Sequence, residues 1–158
     1  MKFLTDAMHG RIARYLRILG YDTFYPGDLD DSKILEIAEK EDRILITRDL
    51  ELSQRAESKN IPIILLNSVN FIKNFHEIYK KFPIDLTLDP NKSRCPVCNS
   101  NISPIPKKQV LGKVPKKTYE NFDEFLICNN PKCRKIYYNG LHWVKLQKKI
   151  DKIKNYKP

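Results

Sequence analysis

Residues 43–49 read Arg43-Ile44-Leu45-Ile46-Thr47-Arg48-Asp49. Three aliphatic residues in a row, closed by a β-branched threonine, predict a buried strand. It runs straight into a base and an acid, and LELSQRAESK at 50–59 then has the spacing of a helix opening at or just after Asp49. The same unit recurs on either side. KFLT at 2–5 is a buried run ending at Asp6; over 8–19, Ile12, Tyr15, Leu16 and Leu19 fall at helical spacing, and Gly20 stops the helix. DTFYP at 22–26 is a short strand closed by Pro26 and Gly27, and Asp30-Asp31-Ser32 opens the helix ILEIAEKE at 34–41. IPIILL at 61–66 is the next strand, and a helix over 70–82 puts Phe71, Phe75, Ile78 and Tyr79 on one face. Strands and helices alternating at this short period predict an α/β domain with a mainly parallel sheet.

Asp6, Asp30-Asp31 and Asp49 all fall where a strand gives way to a loop or helix. In a parallel sheet every strand ends on one edge, so side chains distant in sequence can converge there. Clustered carboxylates repel unless a cation sits among them, and all-oxygen ligands select a hard ion, Mg²⁺ or Mn²⁺. Such an ion can orient or deprotonate a water for attack on a phosphodiester, which is nuclease chemistry. Each acid can equally be a helix cap. Recurrence at comparable strand ends favours function. So does RILITRD, where Thr47 can bond a carboxylate and Arg48 can offset its charge or meet phosphate.

The four cysteines form two close pairs, Cys95-Pro-Val-Cys98 and Cys128-Asn-Asn-Pro-Lys-Cys133. Two such pairs suit a tetrahedral Cys₄ zinc site in a zinc ribbon, closed and therefore structural. Two disulfides would suit a small secreted domain, but here a separate cysteine-free part precedes the cluster. The opening residues also carry charges where a signal peptide would be apolar. Zinc-bound thiols point to a reducing, cytoplasmic setting. No run is apolar enough to span a bilayer, so no membrane partner is expected.

Charge divides the chain. Residues 1–90 carry 13 basic and 15 acidic side chains, whereas residues 91–158 carry 16 and 4. All the excess positive charge lies in the ribbon and the tail, which suggests a polyanion partner, nucleic acid, held by one part and acted on by the other. The domains expected are an α/β unit over 1–85, a ribbon over 92–144 and a basic tail over 145–158, either helical or disordered. Between the cysteine pairs, SPIPKKQVLGKVPKK at 103–117 reads as a polar loop or exposed hairpin. KIYYNGLHW at 135–143 reads as strand with a turn at Asn139-Gly140.

Residues FLTDAMHGRIARYLRILGYDT (3–23) and DDSKILEIAEKEDRILITRD (30–49), then SRCPVCNS (93–100) and CNNPKCRKIYYNGLHW (128–143), together resemble the Mut-seven C-terminal RNase domain family, a PIN-like group of ribonucleases. The order and combination of these motifs carry the resemblance. It implies a PIN-like three-layer α/β sandwich followed by a zinc ribbon, and metal-dependent RNA cleavage by Asp6, the Asp30-Asp31 pair (Asp31 favoured) and Asp49. PIN nucleases usually carry a further acid after a later strand. Here IPIILLNSVN offers only Asn67 and Asn70, so either three acids suffice, holding one metal, or the acid comes from elsewhere.

Candidate RNA contacts are Arg11 and Arg14 on the first helix, Arg48, Lys116 and Lys117 in the ribbon, and Trp143 as a stacking ring. Arg11, Arg14 and Arg17 can equally form a solvated face, and aromatics can cover the metal knuckles. His142 reads as packing against the ribbon, and His9 and His76 as surface or satisfied residues. Two other functions remain open: a non-catalytic RNA-binding or ribosome-associated adaptor, and the toxin of a toxin–antitoxin pair with a partner over the acidic cleft.

Overall fold

The computed structural model describes residues 1–158. Strands β1 (Lys2–Thr5), β2 (Asp22–Phe24), β3 (Ile44–Thr47) and β4 (Ile63–Leu65) alternate with helices α1 (Gly10–Ile18), α2 (Asp31–Lys40), α3 (Leu50–Ser58) and α4 (Phe71–Lys81). The strands pair in the order β2-β1-β3-β4, all parallel, with Leu4 opposite Leu45 and Thr47 opposite Leu65. Successive strand residues face opposite sides, so the sheet separates two cores. Phe3, Ile46 and Ile64 pack with Leu16 of α1 and with Phe75 and Ile78 of α4. Leu4, Leu45 and Ile63 pack with Leu35 of α2 and Leu52 of α3. Helices therefore cover both faces.

The αβ turns share one device. After α1, the amide of Tyr21 bonds the Leu16 carbonyl and that of Gly20 bonds Arg17, with Gly20 at φ 93°. Asp42 and Asn60 take the same left-handed position after α2 and α3.

The ribbon is an antiparallel sheet of β5 (Ile102–Ile105), β6 (Phe125–Cys128) and β7 (Ile136–Tyr137). Residues 103–117 are not simply the polar loop or exposed hairpin expected. They hold most of β5, a 3₁₀ turn (Lys107–Val110) and the start of helix α5 (Lys116–Asn121). Val110 is fully buried with Ile105, Phe125 and Ile127; a ribbon core this small needs few apolar residues, so the surrounding lysines hid it. The Asn139-Gly140 turn also differs from expectation: Gly140 caps α6 (Leu141–Lys154), so 141–143 is helix rather than strand.

That helix is not a loose tail. Ile150 and Ile153 are fully buried in the same core as Phe75 and Ile78, and His76 Nδ1 lies 2.7 Å from the Ile153 carbonyl. The ribbon is docked equally firmly, by Arg17. Its buried guanidinium donates to Thr23 O at 2.9 Å and to the carbonyls of Pro96 and Val97, inside the first cysteine knuckle, at 3.2 and 3.1 Å. Asn99 accepts the edge-strand amide of Thr23 and donates to Asp22, which also pairs with buried Arg43 at 2.8 Å. Arg17 therefore has a tethering role, not that of a solvated cation.

Candidate active site

The chain leaves β1 for β2 on one side and crosses back to β3 on the other, so the sheet's switch point lies between the ends of β1 and β3. Asp6 is there, 7% exposed. Its Oδ2 accepts the Thr47 hydroxyl at 2.6 Å and the Arg48 amide at 3.1 Å, and its Oδ1 accepts the Met8 amide at 3.0 Å. Thr47 Oγ1 in turn accepts the Asp49 amide at 2.9 Å. One hydroxyl thus ties Asp6 to Asp49.

The other acids stand on the same edge with different partners. Asp49 Oδ1 caps α3 by accepting the Leu52 amide, and Asp30 Oδ1 caps α2 by accepting that of Lys33. Asp31 begins α2 and faces Arg55 of α3 at 3.4 Å. The oxygens Asp49 Oδ2, Asp30 Oδ2 and Asp31 Oδ1 have no hydrogen-bond partner. Apart from the cysteines, no three His, Cys, Asp or Glu ligand atoms lie within 4.8 Å of one another. The acids therefore do not form a closed all-protein cage. Mg²⁺, however, keeps several waters and needs one or two carboxylates.

Beside Asp6 lies a hollow of about 170 Å³ lined by His9, Arg11, Arg48, Ser68 and Asn74 among others. His9 Nε2 and Asn74 Oδ1 are buried there without partners. Burial lowers the His9 pKa below its ordinary 6.5 against the pull of Asp6, and Arg48 lowers it further. His9 is thus neither a surface group nor a satisfied one; its place on the 3₁₀ turn after Asp6 has no signature in the sequence. Asn74 also escapes sequence reading, whereas Asn70 caps α4 by accepting the amides of Ile72 and Lys73.

The four cysteines are free thiols whose sulfurs lie within 4.8 Å of one another, close enough to hold one metal ion such as zinc. Cys98 and Cys128 sulfurs are 3.3 Å apart, and those of Cys95 and Cys133 3.8 Å. Burial pushes the Cys128 thiol up to about 12. Burial also acts against Cys98, but hydrogen bonds from Ser100 carry it down to about 6. The Tyr137 hydroxyl sits 3.0 Å from Cys95 Sγ, so this ring does cover a knuckle. His142 stands edge-on to Tyr138 at 6.2 Å.

Arg11, Arg14 and Trp143 come together along one cleft between α1, the ribbon and α6. Lys116 and Lys117 lie apart from it in α5, where Lys116 faces Glu120 at 3.8 Å. No helix is long and apolar enough to cross a membrane.

The Mut7-C RNAse domain family model matches residues 1–150, nearly the whole chain, and the chain belongs to that family. No curated protein and no solved structure matches it.

Proposed function

From membership of this ribonuclease-domain family, we propose that the chain is a PIN-like, metal-dependent ribonuclease that cleaves RNA at the C-terminal edge of its parallel sheet. The observation that carries the reading is Asp6 at the switch point, held by three donors and linked through Thr47 to Asp49. Asp6 and Asp49 would hold Mg²⁺ or Mn²⁺, with Asp30 and Asp31 at the rim. What such an ion supplies when bound is an acidified water and relief of negative charge on the phosphate.

The chain's own residues do the rest. Thr47 and the Arg48 amide fix the Asp6 carboxylate. The Arg48 side chain makes no ion pair of its own and receives the phosphate at the mouth of the adjoining hollow. The cysteine cluster holds a structural zinc that shapes the ribbon, and reduced thiols suit the cytoplasm. The basic ribbon and α6 attract RNA.

A second reading, an RNA-binding adaptor without catalysis, is favoured by one observation: Asp30 and Asp49 both serve as helix caps. Incubation with a mixed RNA pool, with and without Mn²⁺, beside Asp49→Asn separates the two. Metal-dependent cleavage lost in the variant supports the nuclease. Salt-sensitive binding without cleavage supports the adaptor.

A further inference from the structure

The cleft between α1, the ribbon and α6 has a volume of about 480 Å³, within the range of roughly 300–1,000 Å³ that holds small ligands. Its lining carries five cations, Arg11, Arg14, Arg94, Lys145 and Lys149, and no acid. None of the five takes part in an ion pair, whereas Lys116 and Lys107 elsewhere in the ribbon face Glu120 and Asp123. Unneutralised cations around an apolar hollow fit phosphate.

The rings sharpen the ligand. Tyr15 packs on Phe71 and Phe75, and Tyr138 on Phe122 and Phe125, so both are occupied. Trp143 also lines the cleft, half-buried on the first turn of α6. Its indole stacks on no ring within the protein. An aromatic face beside free cations is the arrangement that holds unpaired bases and their backbone. A duplex keeps its bases stacked and cannot offer one to a cleft of this size.

The cleft also leads somewhere. Arg11, its guanidinium 4.1 Å above the Phe71 ring, lines both this cleft and the hollow beside Asp6. Resting on the ribonuclease reading, we propose that this cleft is the single-strand subsite of the enzyme. It seats an unpaired base on Trp143 and passes the backbone over Arg14 and Arg11 towards Asp6. The substrate class is RNA with an unpaired segment next to the scissile phosphate.

Trp143 is the chain's only tryptophan, so its emission reports the cleft directly. The zinc-loaded full chain is titrated, without added Mg²⁺ or Mn²⁺, with a single-stranded RNA 10-mer and with a blunt RNA duplex. Emission is expected to be quenched by the single strand and not by the duplex. Trp143→Ala should weaken single-strand binding by at least about fivefold, whereas Trp143→Phe should restore much of it. Arg14→Ala with Lys149→Ala should flatten the salt dependence of log K by about 1.4, while Lys40→Ala with Lys59→Ala, which pair with Glu36 and Glu39 away from the cleft, should leave it nearly unchanged. Equal quenching by the duplex, or full single-strand affinity in Trp143→Ala, overturns the proposal. Because cleavage is not read, quenching without any later RNase activity would sink the nuclease reading and leave the subsite standing.

Discussion

Asp49 accepts the Leu52 amide at the start of α3, and asparagine caps a helix about as well as aspartate. Asp49→Asn therefore separates two roles. Its thermal midpoint is expected to stay close to that of the parent, while Mn²⁺-dependent RNA cleavage falls at least about 100-fold, since a catalytic ion contributes several kcal/mol. Asp6→Asn is a harsher change. Asp6 accepts three hydrogen bonds on two oxygens, and an amide has one oxygen, so at least one donor is left facing an NH₂ group. That mismatch costs about 1–3 kcal/mol in stability, readable by denaturant unfolding, besides the loss of cleavage. At this scale Thr47 was legible because a hydroxyl ending a buried strand needs a polar partner: it accepts the neighbouring Asp49 amide and bonds the Asp6 carboxylate. His9 and Asn74 were not. Their proximity is made by the β1 and β4 ends lying on one sheet edge, and nothing local in either stretch marks it.

Gly20 serves two needs at the end of α1. It takes a φ of 93°, and a Cβ there would lie 2.7 Å from the Lys92 carbonyl of the segment that leads into the ribbon. Gly20→Ala should therefore destabilise the protein by at least about 1 kcal/mol, and proteolysis near residue 92 should rise. An unchanged midpoint would mean that this segment does not sit against α1. The helix after the ribbon makes an equally sharp case. Ile150 is fully buried against the α/β core, so Ile150→Ala should cost about 2–5 kcal/mol, read by unfolding of the full chain. A loose tail would show no effect. Strands and helices of the α/β unit were legible because long apolar runs and caps agree there. The burial of Val110 and the docking of α6 were not, since isolated aliphatics among lysines look solvated until the surface they cover is known.

The whole molecule joins its two parts through Asp22, which pairs with Arg43 on the sheet and Asn99 on the ribbon. Burial alone would raise the Asp22 pKa, but bonds from Arg43 and Asn99 outweigh it and hold the carboxyl below its ordinary 3.8. A depressed folded value means that the linkage stabilises fully above 3.8 and drains away as pH falls through the lower folded value. Acid should thus loosen the ribbon from the α/β unit, and hydrogen exchange at the Thr23 amide, which bonds Asn99, should report it. Asp22→Asn should exchange faster at neutral pH and lose most of that acid dependence. The division of charge between the two parts could be read directly from the sequence. How they meet could not, because the joint rests on Arg17, which has the spacing of an ordinary surface cation.

The most direct measurement is a Mn²⁺ titration of the zinc-loaded protein followed by electron paramagnetic resonance, with Asp6→Asn and Asp49→Asn alongside. One bound Mn²⁺ in the parent chain, lost or much weakened in both variants, is the predicted result. Identical binding in all three proteins would contradict an ion held between the ends of β1 and β3.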